Sequence, residues 1–262
     1  MMAILDDIFS LKGKAAVVTG AASGFGRAFA VAMAEAGADL ALIDTNPQGL
    51  KQTVELVRER GRVAHIHVAD VSDEAAICAA FKGIDESFGR IDILVNNAGI
   101  GERFRGKIHE YPSADWKRIV DVNLNGVFYC SREALRRMYA QQSGKIINLA
   151  SIWGMVGGGF LNAGGYATTK GGVVNLTREM ALEYAPHNIQ INAICPGFHR
   201  TSIMDFGDPQ SQGIVELMKA HTPAGRLAGA EELRGTLLYL ASSASNFMSG
   251  SIIAVDGGFL AR

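Results

Sequence analysis

The turn between the first predicted strand and the first predicted helix is rich in glycine. The strand, residues 14–19, contains the apolar run Ala15-Ala16-Val17-Val18, which is typical of a central parallel strand covered on both faces. It leads into Thr19-Gly20-Ala21-Ala22-Ser23-Gly24-Phe25-Gly26, and residues 27–36 then have a helical pattern. A strand, a glycine-rich turn and a helix in this order seat a phosphate-bearing ligand on the helix amino terminus. The turn can also be loop geometry alone, since its Gly-x-x-x-Gly-x-Gly spacing is not the commonest dinucleotide fingerprint.

An acidic residue ends the second predicted strand, residues 38–43, eighteen positions after Gly26. This residue, Asp44, can accept both hydroxyls of an adenosine ribose and would repel a 2′-phosphate. Thr45 and Asn46 are neutral, so no adjacent cation would neutralise a phosphate. The sequence therefore predicts NAD rather than NADP. Capping of the next helix is the alternative role of Asp44.

Predicted strands and helices alternate along the rest of the chain, without an internal repeat or a low-complexity linker. The further strands are 63–68, 91–95, 145–149, 189–194 and 252–255, and the further helices are 47–60, 73–88, 113–140, 171–184 and 230–241. This alternation predicts one α/β domain over residues 1–262, a doubly wound parallel sheet with helices on both faces. Residues 202–222 are polar and irregular, which indicates a lid or binding loop.

Composition argues against several classes of protein. The 25 basic and 26 acidic residues balance, and Lys and Arg do not cluster as a nucleic-acid surface requires. Cys78, Cys130 and Cys195 are far apart and lack metal-ligand spacing, as expected of reduced, mostly buried thiols. The amino terminus carries acids, and no apolar run approaches the roughly eighteen residues of a membrane span. We expect a cytoplasmic protein without a metal, nucleic-acid or membrane partner.

Tyr166 and Lys170 are four residues apart at the start of the helical run 171–184, so they share a helical face. An ammonium about 4 Å from a phenol, at an effective dielectric of ~20, favours the phenolate by roughly 4 kcal/mol. That equals about three pKa units and brings a tyrosine near neutrality, where proton transfer is efficient. The same spacing also fits a packed ring beside a solvated amine.

Two further groups of polar and small residues stand near predicted strands and helices. Asn96-Asn97-Ala98-Gly99 follows the strand 91–95, and small residues there let another molecule approach the backbone closely. Asn123 lies among apolar residues of the helix 113–140. A buried Asn requires hydrogen-bond partners, so Asn123 is either a structural device or part of a site.

Together these residues resemble the short-chain dehydrogenase/reductase family over nearly the whole chain. The motifs that carry the resemblance follow the family's order: Thr19 to Gly26, Asp70, Asn96-Asn97-Ala98-Gly99, Asn123, Ser151, Tyr166-x-x-x-Lys170, Pro196-Gly197 and Asp256-Gly257-Gly258. The resemblance implies a seven-stranded Rossmann sheet. It also implies a homotetramer or dimer that assembles through helices near 113–140 and 168–184.

The resemblance implies a catalytic set of Asn123, Ser151, Tyr166 and Lys170. Tyr166 would be the general base in alcohol oxidation and the general acid in ketone reduction, while Lys170 would lower its pKa and bind the nicotinamide ribose. Ser151 would hydrogen-bond the reacting oxygen and stabilise developing charge. Asn123 would hold the water that relays protons from Lys170 to solvent.

The resemblance also implies where NAD binds. The glycine turn would face the pyrophosphate, Asp44 the adenosine ribose, and Asp70 with Val71 the adenine. The backbone around His199, with Thr201, would face the carboxamide. The other expected cofactor residues are Gly20, Ser23, Gly24, Phe25, Gly26, Asn97, Ala98, Gly99, Tyr166, Lys170, Pro196 and Gly197.

The chain departs from the family in two places. Ser151 and Tyr166 are fifteen residues apart, whereas the family's common separation is about thirteen. We therefore expect two extra residues in the substrate loop at about 152–165, among residues 157–159. His199 stands where the family often has an aliphatic residue, at the start of a lid at about 197–222. The ring of His199 could touch substrate, or face solvent or the lid.

These features predict an NAD-dependent dehydrogenase that acts on a secondary alcohol or ketone. One alternative is a 3-oxoacyl thioester reductase, which the neutral residues at 21–23 and 45–46 disfavour; another is a non-catalytic cofactor-binding protein. Arg103 and Arg105 could pair with a substrate carboxylate, and sugars, polyols, hydroxy acids, cyclic alcohols and steroids all remain open. We expect a largely apolar pocket lined by Trp153, Met155, Val156, Phe160, Leu161, Phe198, Met204, Phe206 and Met218.

Overall fold

Seven parallel strands form one sheet in the computed structural model, which describes residues 8–200 and 209–261. The strands are β1 (Ala15–Thr19), β2 (Asp39–Asp44), β3 (Ala64–Val68), β4 (Ile93–Asn96), β5 (Gly144–Leu149), β6 (Ile189–Pro196) and β7 (Ile252–Val255). Their order, β3-β2-β1-β4-β5-β6-β7, reverses between β1 and β4. In open α/β sheets a ligand binds outside the carboxyl ends of the strands at such a reversal. The predicted seven-stranded Rossmann fold is confirmed.

Helices cover both faces of the sheet. Within the described ranges they are α1 (Gly24–Glu35), α2 (Pro47–Arg58), α3 (Glu74–Phe88), α4 (Ser113–Val120), α5 (Gly126–Gln141), α6 (Gly164–Tyr184), α7 (Pro209–His221) and α8 (Arg234–Ala241). Alternate residues of β1 enter different cores, because successive side chains of a strand point to opposite faces. Val18 packs with Phe29 of α1, whereas Val17 packs with Phe81 of α3.

The predicted helix 113–140 is interrupted. A π-helical turn, Asp121–Asn125, separates α4 from α5, and the Gly126 N–H donates to the Asp121 carbonyl. Gly126 lies against Val71, where an added Cβ would stand 2.7 Å from a Val71 methyl carbon. The π-turn places Asn123 in the protein interior, and such turns are frequent at functional sites.

The helix that carries Tyr166 is longer than predicted. It begins at Gly164 rather than at 171, so Tyr166 and Lys170 both lie inside α6. Four glycines occur in its first nine residues, and their low helix propensity hides the helical pattern from the sequence. By contrast, the first part of the predicted helix 230–241 is a 3₁₀ turn, Ala230–Leu233.

The other predicted elements agree with the structure to within three residues at each end. Within the predicted lid, residues 209–221 form α7, and residues 201–208 lie outside the described part of the chain. Asn46 caps α2 by accepting from Gln48 N and Gly49 N, so the capping alternative for Asp44 was wrong. Among the described helices, none has both the length and the apolar character needed to cross a bilayer.

Candidate active site

Two adjoining cavities lie at the carboxyl ends of the strands. The first, of about 400 Å³, reaches from the glycine turn to Ser151, Tyr166 and Lys170. The second, of about 530 Å³, is lined by Asp70 and Val71. The two share four lining residues and form one crevice, and these residues are Gly20, Asp44, Ala98 and Gly99. The crevice therefore brings most of the predicted cofactor residues together with Ser151, Tyr166 and Lys170, whereas Gly26 and Asn123 do not line it.

The glycine turn depends on close backbone approach. Gly20 has a φ of +66°, and an added Cβ there would lie 2.8 Å from the Asn97 amide nitrogen. An added Cβ at Gly26 would collide with the Gly20 carbonyl oxygen. Helix α1 begins at Gly24, inside the turn, with Ser23 at its amino-terminal cap position. The free N–H groups of its first turn consequently lie at the crevice, as anion binding requires.

Asn97 holds the turn after β4 against the turn after β1. Its side-chain amide donates to the Thr19 carbonyl at 2.9 Å and to the Gly20 carbonyl at 3.1 Å. The Thr19 hydroxyl accepts from Asn97 N and Ala98 N, each at 3.0 Å. The side-chain nitrogen of Asn97 is thus committed to the protein, although Asn97 also lines the crevice.

The carboxylate of Asp44 is fixed by two backbone donors. One oxygen accepts from Ala22 N and the other from Asn46 N, both at 2.9 Å. Asp70 lies at the far end of the crevice. One of its carboxylate oxygens accepts hydrogen bonds from both the backbone N–H and the hydroxyl of Ser72. Both acids therefore line the half of the crevice where the sequence predicts adenosine.

Asn123 is fully buried, and its amide is bound at both ends. Its oxygen accepts from Ile100 N at 2.8 Å, and its nitrogen donates to the Ile100 carbonyl at 2.9 Å. An added Cβ at Gly99 would lie 3.3 Å from the Asn123 side-chain oxygen and 3.7 Å from Lys170 Nζ. The side chain of Asn123 therefore fixes the loop next to Lys170, and its action on a water molecule stays a prediction.

Tyr166, Lys170 and Ser151 meet beyond the end of β5. Lys170 is 4% exposed, and its Nζ donates to the Leu149 carbonyl at 2.6 Å and lies 5.7 Å from the centre of the Tyr166 ring. Burial lowers the pKa of Lys170 to about 8. Burial also raises the pKa of Tyr166, and this outweighs the opposite effect of its hydrogen bond with Ser151.

The predicted lowering of the pKa of Tyr166 by Lys170 was therefore wrong for this structure. The prediction considered only the attraction between phenolate and ammonium, whereas burial disfavours the charged form of both groups. In addition, the ammonium is bound to the Leu149 carbonyl. As a result Lys170 loses its proton at a lower pH than Tyr166 does, which reverses the order of their ordinary pKa values.

His199 packs into the crevice against the glycine turn. Its ring meets that of Phe25 edge to face at 5.3 Å, and both residues line the first cavity. The Nδ1 atom lies 3.1 Å from the Gly197 carbonyl, so Nδ1 carries the hydrogen. Burial lowers the pKa of His199, which keeps the ring neutral. Thr201, also predicted here, lies outside the described residues.

The wall beside Ser151 is apolar. Trp153 contacts Phe198 at 5.8 Å and Phe259 at 5.3 Å between ring centres. The predicted lining is correct for Trp153, Leu161, Phe198 and Met218. It was wrong for Met155 and Val156, which are 42% and 43% exposed and do not line the cavity. The Phe160 side chain, Met204 and Phe206 lie outside the described part.

Glu102 is a lining residue that sequence reasoning missed. Its carboxylate accepts from the hydroxyl of Tyr111 and, at 2.9 Å, from the backbone N–H of Tyr166. Burial and the hydrogen bond with Glu102 both raise the pKa of Tyr111. Glu102 accepts from the first turn of a helix that lies 64 positions further along the chain, and no local sequence pattern indicates such a contact. Arg105, one of the two loop arginines considered for a substrate carboxylate, also lines the first cavity.

Comparisons with known proteins cover almost the entire chain. The family model described as enoyl-(acyl carrier protein) reductase matches residues 20–260. A cis-4-hydroxycyclohexanecarboxylate dehydrogenase from Sinomonas cyclohexanicum is 41% identical over 248 residues, which are 95% of this chain and 97% of the relative.

Two solved structures are similar over their whole length. A short-chain type dehydrogenase/reductase from Mycobacterium marinum has a TM-score of 0.93 and 36% identity, covering 99% of this chain and 100% of that one. A gluconate 5-dehydrogenase from Burkholderia cenocepacia, in complex with NADP and tartrate, has a TM-score of 0.91 and 35% identity with the same coverage. The chain therefore belongs to the short-chain dehydrogenase/reductase family, whose members bind a nicotinamide cofactor.

Proposed function

We propose that the protein is an NAD-dependent dehydrogenase that oxidises a secondary alcohol, with Tyr166 as the group that takes the hydroxyl proton. The observation that carries the proposal is the meeting of Tyr166, Ser151 and buried Lys170 at one end of a crevice that starts at the glycine turn. Similarity to dehydrogenases over nearly the whole chain supports an oxidoreductase that acts on CH–OH groups.

The crevice suits a dinucleotide. The turn is open at Gly20 and Gly26 only because neither carries a Cβ, and the amino terminus of α1 offers N–H donors for a pyrophosphate. Asp44 and Asp70 line the second cavity for the adenosine half, and Tyr166 with Lys170 lines the first for the nicotinamide half. When bound, the nicotinamide supplies the hydride acceptor.

The residues around the reacting carbon have distinct tasks. Ser151, which shares a hydrogen bond with Tyr166, orients the substrate oxygen and stabilises its developing charge. Tyr166 accepts the hydroxyl proton as the phenolate, so the neutral phenol that burial favours must first release its own proton to solvent. Lys170 lies beside the Tyr166 ring and carries its positive charge near the ribose side of the crevice. The apolar wall around Trp153 excludes water from this end.

Asp44 favours NAD over NADP. Its two oxygens are held by Ala22 N and Asn46 N, so the carboxylate cannot turn away from a 2′-phosphate without losing both bonds. Contact between the Asp44 carboxylate and a 2′-phosphate, which carry like charges, would cost several kcal/mol of binding free energy. The gluconate 5-dehydrogenase that binds NADP shows that similar chains accept the other cofactor, so the preference rests on Asp44 itself.

The apolar wall favours an alicyclic alcohol over a sugar acid. Ile152, Trp153 and Phe198 form one buried cluster beside the Tyr166 side chain. Polyol hydroxyls placed against this wall would lose their hydrogen bonds to water without replacement. A cyclohexane ring instead gains apolar contact, and Arg105 can pair with a carboxylate on it. The dehydrogenase from Sinomonas cyclohexanicum, by its name, acts on such a ring.

The other functions considered have less support. A 3-oxoacyl thioester reductase would use the same catalytic residues, but the fixed carboxylate of Asp44 disfavours the NADP that such reductases usually prefer. A non-catalytic cofactor-binding protein would not need a buried ammonium beside Tyr166, which is costly to retain.

We expect a panel of secondary alcohols with NAD to separate the substrate classes. Cyclohexanols, with and without a carboxylate at the ring position opposite the hydroxyl, should give at least roughly tenfold higher kcat/KM than gluconate, equivalent to ~1.4 kcal/mol. NADH formation is the measurement. Turnover of gluconate at the higher rate would contradict the alicyclic assignment.

Tyr166→Phe should lower kcat by roughly 10²–10⁴-fold, because the variant keeps the ring and loses the proton acceptor. NADH binding, followed by fluorescence titration, should remain normal. Tyr184→Phe, at the other end of α6, is the matched control and should turn over like the wild type. Wild-type turnover by folded Tyr166→Phe would show that another group takes the proton.

Lys170→Met should reveal the free-energy cost of the buried ammonium. The folded-state pKa is about 8 against an ordinary 10.5, so burial of the charge is fully destabilising below about pH 8. The cost disappears as pH rises toward about 10.5, because the unfolded chain then binds more protons than the folded one. The free energy of unfolding of the wild type relative to Lys170→Met should therefore rise over this window by up to roughly 3 kcal/mol.

Denaturant titrations at several pH values measure this difference. Lys82→Met, at an exposed position of α3, serves as the control and should give a difference that is flat with pH. A flat difference for Lys170→Met as well would contradict the buried-charge interpretation.

Asp44→Asn should weaken the preference for NAD. The variant keeps the shape and removes the charge, so the ratio of kcat/KM for NAD to that for NADP should fall by roughly 10- to 100-fold, equivalent to ~1.4–2.8 kcal/mol. Asp70→Asn, at the other acid of the crevice, should affect both cofactors equally. An unchanged ratio in Asp44→Asn would remove the argument for NAD.

A further inference from the structure

The helix that carries Tyr166 lacks a cap from its own sequence. Ala163 occupies the N-cap position of α6 and has no side-chain oxygen to accept from the first-turn N–H groups. Those N–H groups have no partner within a helix and need an external acceptor when they are partly buried. Tyr166 is the third residue of α6, so the position of its backbone N–H is tied to the position of its phenol.

Glu102 supplies the missing acceptor from the loop after β4. One carboxylate oxygen accepts from Tyr166 N at 2.9 Å, and the other accepts from the Tyr111 hydroxyl. A negative charge is favourable at a helix amino terminus. The Glu102 carboxylate is half-buried and lines the same cavity as Ser151 and Tyr166.

The first turn of α6 is shaped to receive this loop. An added Cβ at Gly165 would collide with the Tyr111 hydroxyl, and one at Gly164 would lie 2.5 Å from the Ile108 side chain. The Tyr111 ring is held edge to face by Phe104 at 5.3 Å and by Trp116 at 5.9 Å. Glycine at both positions therefore allows residues 102–111 to sit directly on the start of the helix.

We propose that Glu102, held by Tyr111, is a positioning residue that sets the place of Tyr166 relative to Ser151. The inference rests on the proposed role of Tyr166 in proton transfer. A cap that only stabilised the helix would act on unfolding alone. Here the bond ends on the backbone of Tyr166 itself, and a displacement of about 1 Å near a reacting group can cost on the order of 100-fold in rate.

Glu102→Met is the variant that tests the proposal. Methionine has a similar length and no side-chain oxygen, so neither the Tyr166 N–H nor the Tyr111 hydroxyl keeps its acceptor. We expect kcat to fall by roughly 10- to 100-fold while the Kd for NADH stays unchanged. Tyr111→Phe removes one donor and should give a smaller fall. The double variant should be no slower than Glu102→Met, because both changes disrupt one unit.

Glu110→Met is the matched control, since Glu110 is exposed in the same segment and undergoes the same change of charge. It should keep wild-type kcat. The proposal is overturned if Glu102→Met loses only thermal stability and keeps wild-type kcat, or if NADH affinity falls as much as kcat does. If Glu102→Met does not fold, wild-type kcat in Tyr111→Phe overturns it equally.

Different results would refute the proposed function and the role of Glu102. Wild-type activity in Tyr166→Phe would refute the proposed function, and with it the need for positioning. Inactive Tyr166→Phe together with fully active Glu102→Met would leave the function in place and refute the role of Glu102.

Discussion

The amide of Asn97 donates to the carbonyls of Thr19 and Gly20, and these two bonds hold together the turns that leave β1 and β4. The order of the sheet reverses between these two strands, so their loops diverge and leave a crevice between them. Glycine at 20 and 26 keeps the crevice open, since a Cβ at either position would meet backbone or the Asn97 amide. The opening of the crevice thus depends on one side chain whose amide nitrogen is bound to the protein itself.

Much of the fold follows from the sequence because buried parallel strands read as apolar runs and glycine turns mark their ends. The π-turn at Asn123 could not be predicted, since the apolar pattern continues through it. The early start of α6 was hidden by glycines that tertiary packing makes helical. Glu102 was missed because its partner, the N–H of Tyr166, lies far away in sequence and belongs to the backbone. Exposure of Met155 and Val156 was equally invisible, because hydrophobicity does not report which side of a loop faces a cavity.

The pKa values of Tyr166 and Lys170 show why spacing alone misleads about electrostatics. Their shared helical face was predicted correctly, but the predicted phenolate stabilisation ignored the cost of burial. In the structure burial shifts both groups toward their neutral forms, and the ammonium is bound by the Leu149 carbonyl. The candidate site therefore keeps a group that works against the stability of the fold, which is common where function requires a buried charge.

The glycines of the loop between Ser151 and α6 differ in kind from those of the glycine turn. An added Cβ at Gly157 or Gly159 would meet nothing within 4 Å, and neither residue has a positive φ. Side chains can therefore be introduced there without displacing Ser151 or the start of α6. Residues 97–102, by contrast, bond to the turn after β1, to the π-turn and to α6 within six positions. Sequence drift and laboratory evolution of substrate preference have room at 157 and 159, less at 158, where an added Cβ would lie 3.2 Å from the Trp153 ring, and almost none at 97–102.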